Sequence, residues 1–195
     1  EDVTLAQHTG ASPYAEQYDK LLKLGDNAGN EVVKAVRNKD RAYRMQALKF
    51  ATDHKLVNAM LAQKVAALYP IVPADAKVDI LNWLGDNKVE SQKTLLTRVA
   101  KLGGETADAA LEALGHIGGD DVADVMIAQL GGKNNDAAAS ALRSYKGDLT
   151  VKIPEAIDKA QTKVPAAMKE TNNKKLIALM GLANDRRIKT AYGLV

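Results

Sequence analysis

The chain has 195 residues, 46% of them hydrophobic but only 4% aromatic, with a formal net charge of +3. Ala, Leu, Lys, Asp and Glu crowd it, residues that lose little rotamer freedom in a helix, while the β-branched and aromatic residues that favour sheets are thinly spread. There is no cysteine, which excludes disulfides and thiolate metal sites, and no apolar run approaches the ~20 residues that a membrane-crossing helix needs. The chain is therefore expected to be all-α and without a membrane span.

Charge is unevenly distributed. The net charge is +3 over residues 1–102, −5 over 103–145 and +5 over 146–195. An acidic stretch beside a basic one is expected to give solvated helix faces that steer different partners or pair with each other. The chain begins at Glu1 rather than Met, the pattern expected after removal of a targeting segment, which tilts the expectation toward a periplasmic or extracytoplasmic location. Thr190 to Val195 reads as a helix still in progress, so further domains of the same polypeptide are an expectation too.

In chain order, residues 1–13 read as an irregular segment, and Tyr18 to Asp26 as the end of a helix leading into the apolar stripe Val32, Val33 and Val36. Ala47 to His54 leads into Leu56, Val57, Met60, Leu61 and Val65, and Ile80 to Asn87 into Val89, Leu95, Leu96, Val99 and Leu102. The clearest unit, Ala110 to Leu130, is an apolar helix end, a Gly-rich break and a second apolar helix. Leu111, Leu114 and Ile117 share one helix face, and Val122, Val125, Met126 and Leu130 the next. Gly118 and Gly119 supply the positive φ that ends the first helix, and Asp120 or Asp121 is the expected side-chain cap of the second. Ser140 to Asp148 leads into Val151, Ile153, Ala156 and Ile157, and Ala178 to Asp185 into Ile188 and Tyr192.

Anchored at Leu21, Leu48, Leu81, Leu114, Leu142 and Leu179, these units are spaced by 27, 33, 33, 28 and 37 residues. Pro70 and Pro73 fall between units, as does Pro165, where a proline removes no helical hydrogen bond. Pro154 suits a first helical turn. No single hairpin can bury its own apolar face, so neighbours must stack. The expectation is one domain over 1–195, an α-α superhelix (solenoid) of about six antiparallel helical hairpins.

The motif Leu114-Gly115-His116-Ile117-Gly118-Gly119-Asp120 followed by an apolar helix resembles a HEAT repeat of the short, phycobilisome-lyase-type bacterial form. The other units keep the apolar positions and an Asp or Asn near the break but lack the whole motif; armadillo and tetratricopeptide repeats are the near alternatives. The resemblance implies a non-catalytic scaffold that binds a protein or peptide partner. It also implies an alternative, a helical spacer or regulatory region of a larger extracytoplasmic carbohydrate-active enzyme.

Chemistry-bearing motifs are sparse. His8, His54 and His116 lie far apart, and the His116, Asp120, Asp121 and Asp124 constellation reads as a weak cation site or a proton relay or, more simply, as N-cap and first-turn carboxylates favoured by the helix dipole. Gly131-Gly132-Lys133 lacks the remaining residues of a phosphate loop. Neither a nucleophilic serine motif nor a cofactor signature occurs, so the chain is expected to be no enzyme, to need no cofactor and to hold no metal. The basic C-terminal part, with Lys174, Lys175, Arg186 and Arg187, is the best candidate for an anionic ligand, although nucleic acid is not the expected partner because aromatics for base stacking are lacking. Trp83 is expected in the core, or else as an exposed anchor in a groove.

Overall fold

The computed structural model describes residues 23, 27–162, 165–189 and 191. The expected irregular segment 1–13, the helix ending at Asp26, His8 and Tyr192 lie outside the described residues. Within them all regular structure is helical, in ten α-helices: α1 (Ala28–Val36), α2 (Arg41–Asp53), α3 (Ala59–Ala66), α4 (Ala74–Asp86), α5 (Lys93–Ala100), α6 (Glu105–Ile117), α7 (Asp120–Gln129), α8 (Asn135–Ser144), α9 (Lys152–Gln161) and α10 (Lys169–Asp185). Short 3-10 turns, Glu90–Gln92 and Ala166–Met168, lead into α5 and α10. Pro70 and Pro73 precede α4, Pro165 precedes α10, and Pro154 sits in the first turn of α9, each where its missing N–H is harmless. The chain divides into two compact units, Glu1–Ala76 and Lys77–Val195.

In the first unit, α1 packs on α2 and α3. Two caps fix the helix starts: the Asp40 carboxylate accepts from the Ala42 N–H at 2.8 Å, and the Asn58 side chain accepts from the Leu61 N–H at 2.9 Å. Val32, Val36, Leu48, Phe50, Leu61 and Val65 are buried. So is Arg44, whose guanidinium donates to the carbonyls of Asn38 and Lys39 at 2.9 and 3.1 Å and to the Asp75 carboxylate. A buried cation is tolerated when its donors are taken in this way. The same contact holds the Asp75 carboxyl below its ordinary range.

In the second unit, α6 packs against α5 and α8, α8 also against α7 and α10, and α9 against α10; lighter contacts join α5 to α7 and α7 to α9. Two rows result, α6, α8 and α10 in one and α5, α7 and α9 in the other. Two helix crossings fall at small residues. A Cβ on Gly85 would lie 2.5 Å from the Ala113 Cα, and one on Gly115 would lie 3.0 Å from the Ala141 carbonyl oxygen. The absent side chains let α4 approach α6, and α6 approach α8, almost backbone to backbone.

Two sequence expectations change in detail. Ala110 to Leu130 does hold two successive helices, and Gly118 and Gly119 turn the chain at φ 76° and 102°. Yet α6 and α7 touch each other far less than α6 touches α5 or α7 touches α8, so the tightly packed consecutive pairs are shifted by one helix from the expected phase. Asp120 and Asp121 open α7 within its first turn, and no side chain caps it; their charge at the positive helix end is what they contribute.

A second repeat emerges at helix ends. Asp53-His54-Lys55-Leu56, Asp86-Asn87-Lys88-Val89 and Asp185-Arg186-Arg187-Ile188 close α2, α4 and α10. In each the third residue is left-handed, with φ of 56°, 50° and 54°. The fourth donates its N–H back into the last turn, Leu56 to Ala51, Val89 to Leu84 and Ile188 to Ala183, at 2.9, 2.9 and 2.8 Å. This is the Schellman arrangement that satisfies orphan carbonyls at a helix end. Asp53, Asp86 and Asp185 are separated by 33 and 99 residues, one and three times the same step.

Candidate functional site

One concave surface bearing charged side chains lies in the second unit, where α7, α9 and α10 enclose a groove of ≈ 340 Å³. The sequence of α9 creates it. Ile153, Ala156, Ile157 and Ala160 are buried, which turns Lys152, Glu155 and Lys159 toward the opening at helical spacing. From α7 come Asp124, Ile127 and Ala128, and from α10 come Asn172 and Lys175. The floor is small and apolar and the rim carries the charge. Asn172 donates its Nδ2 to the Ala160 carbonyl, tying α10 to the last turn of α9. Gly131 passes so close to α10 that a Cβ there would lie 2.9 Å from the Lys175 Cβ, which fixes the base of Lys175.

The charges are unevenly partnered. Lys152 Nζ donates to Asp124 Oδ2 at 2.8 Å, and that contact raises the lysine above its ordinary range. The ammonium groups of Lys159 and Lys175 have no hydrogen-bond or ion-pair partner among the described residues. Lys175 is partly buried, and burial, with the neighbouring Lys159 charge, pushes its ammonium below the usual lysine range. Burial and a like charge both disfavour a protonated amine. The groove thus presents two ammonium groups with free donors beside an apolar floor, an arrangement suited to holding an anionic group.

A second groove of the same unit, ≈ 390 Å³, has the opposite character, with Glu105, Asp108, Glu112 and His116 from α6 facing Ser140 and Ser144 of α8. The carboxylates that the sequence grouped around His116 are dispersed. His116 Nδ1 lies 3.3 Å from Asp86, Asp121 lies 3.6 Å from Lys93, and Asp124 is bound to Lys152. No three His, Cys, Asp or Glu side chains come together in a metal-binding group among the described residues. Nor is any helix there long and apolar enough to cross a membrane.

The residues singled out from sequence have separate fates. Lys175 lines the lysine groove. Lys174, its neighbour, is exposed and pairs with Glu170 at 2.9 Å along α10. Arg186 turns inward: its guanidinium donates to the carbonyls of Leu142 at 2.7 Å, Gly147 at 3.2 Å and Tyr145, closing the end of α8. Arg187 is the exposed left-handed residue that ends α10. Trp83 is buried at 5% exposure, so its side chain belongs to the core. Lys159 and Asn172 were missed; the seven-residue spacing of Lys152 and Lys159 on one amphipathic helix was the available signal.

Set against known protein families, curated proteins and solved structures, the chain matches none of them. The class that the fold itself defines is that of all-helical proteins.

Proposed function

We propose that the chain is a non-catalytic interaction scaffold built of HEAT-like helical hairpins, with the second unit a stacked segment of α-solenoid that holds a protein or peptide partner. The observation that carries this reading is neighbour-to-neighbour packing in two rows, since in a repeat array each unit buries its apolar face on the next. Glycine and alanine at the helix crossings, Gly85 on Ala113 and Gly115 on Ala141, support it. Such stacking leaves open grooves between successive helices, which repeat proteins use to hold extended ligands.

The test is a random-peptide display selection against the whole chain, followed by titration calorimetry of the enriched peptides. A reproducible consensus that binds saturably is expected, with a Kd on the order of micromolar, as for a small, open interface. Failure to enrich any consensus, or multiple turnover by the purified chain across a broad hydrolase panel, would sink the scaffold reading.

A further inference from the structure

The three lysines of the α7, α9 and α10 groove are not equivalent. Lys152 is neutralised by Asp124, whereas Lys159 and Lys175 face the same ≈ 340 Å³ space with their donors unclaimed among the described residues. Glu155 lies one turn from Lys159, yet no ion pair joins them. A partly buried ammonium beside a second ammonium is unfavourable unless something negative is supplied. The opposite rim keeps the Asp124 to Lys152 pair, so the positive field is concentrated at one end of the groove. The volume is near the lower end of the ~300–1,000 Å³ usual for ligand sites, which suits a short segment of chain. Ile127, Ala128, Ala156 and Ala160 offer that segment an apolar floor.

We infer that this groove is a docking site for an acidic peptide segment, one of whose carboxylates seats between Lys159 and Lys175 while an adjacent aliphatic side chain lies on the alanine floor. The inference rests on the scaffold reading and deepens it by naming the partner's chemistry. No guanidinium lines the groove among the described residues. Lysine ammonium groups act as point charges that take a carboxylate or a phosphate alike, so the apolar floor is what favours a peptide segment. An apolar floor also has no use for a free inorganic anion.

The experiment uses the whole chain and two fluorescein-labelled peptides read by anisotropy. One alternates glutamate and leucine, and the other is its glutamine isostere. The acidic peptide is expected to bind at least about tenfold tighter, and its affinity to fall as salt rises, because the contact is a charge pair at an open groove. Lys159→Gln and Lys175→Gln should each weaken it about tenfold, whereas Lys174→Gln, on an exposed residue paired to Glu170, leaves it unchanged.

Lys175→Met supplies a readout apart from binding. It should melt at or above the parent temperature, since a partly buried charge is removed, and still lose the acidic peptide. Were it to unfold, Lys159→Gln at an exposed position carries the comparison. Equal binding of both peptides, indifference to both lysine substitutions, or displacement by millimolar inorganic phosphate would overturn the inference. Selected peptides of neutral composition that ignore Lys159 and Lys175 would remove this inference and leave the scaffold standing. Absence of any peptide binding removes both.

Discussion

Gly85, Gly115 and Gly181 lie inside helices, where a glycine costs roughly 0.5–1 kcal/mol relative to alanine. Two of them are used. A Cβ on Gly85 would strike the Ala113 backbone at 2.5 Å and one on Gly115 would meet Ala141 at 3.0 Å, whereas a Cβ on Gly181 would meet none of the described residues within 4 Å. The outcomes of the same substitution therefore differ in sign. Gly181→Ala should stabilise the chain by about 1 kcal/mol, raising the melting temperature by roughly 2–4 °C. Gly85→Ala gains the same helix propensity but overpacks a backbone contact that cannot swing aside, for a net loss of roughly 2 kcal/mol. Thermal melts followed by circular dichroism check both, and a stabilised Gly85→Ala would refute the close crossing of α4 and α6. At the same scale, the left-handed Lys55, Lys88 and Arg187 each hold a conformation that glycine adopts more readily, yet the Schellman hydrogen bonds behind them keep it.

At the scale of the element, helix ends decide how the second unit is tied together. The last carbonyls of α8 have no partner within their own helix, as at every helix C-terminus. Arg186 reaches back from the end of α10 to take the carbonyls of Leu142 and Tyr145, and the Gly147 carbonyl in the loop beyond. Its guanidinium also lies 5.9 Å from the Tyr145 ring centroid, within cation–π range. Asn134 acts likewise at another junction, donating to the Gly104 carbonyl at 3.0 Å and to Asp108, so that the turn before α8 is stapled to the start of α6. Arg186→Ala should cost about 1.5–3 kcal/mol, the range for charge-assisted hydrogen bonds. Arg186→Lys should recover less than half, since a single ammonium cannot serve carbonyls that diverge. Urea titrations of the three proteins compare them; full recovery by lysine would show that charge at the helix end, rather than the fork, is what matters.

Over the described residues, full burial runs through both units and is dense in α6 and α8. Ala107, Ala110, Leu111 and Leu114 of α6 and Leu142 of α8 are at 0% exposure, whereas the 3-10 turn Ala166–Met168 and the first residues of α10 are exposed. Resistance to local opening follows burial and contact density. Hydrogen exchange followed by mass spectrometry should therefore find slow amides in the buried turns of α6 and α8 and the fastest of this unit in the segment that leads into α10. Uniform protection across the unit would contradict that contrast. The same packing separates charge: the groove between α6 and α8 is lined by Glu105, Asp108 and Glu112, whereas in that of α7, α9 and α10 Lys152, Lys159 and Lys175 outnumber Asp124 and Glu155. One unit thereby offers surfaces of opposite sign.

Read alone, the sequence determined the all-helical class, because low aromatic content and apolar stripes at helical spacing are local properties that any packing would respect. It also located the breaks, since Pro70, Pro73, Pro165 and the Gly118-Gly119 pair restrict the backbone wherever they stand. Which helices would pair was a tertiary matter. The apolar stripe on α6 fits α7 as well as α5 or α8 by pattern; the close approach of Gly115 to Ala141 is where α8 came to lie, and it depends on what stands opposite. For the same reason the basic C-terminal residues could be named but not sorted. Lys174, Lys175, Arg186 and Arg187 look alike in a sequence, yet a turn of α10 sends one to a surface ion pair, one into a groove, one onto the carbonyls of α8 and one into solvent. Charge is written in the residue; its partner is set by the neighbour that folding brings beside it.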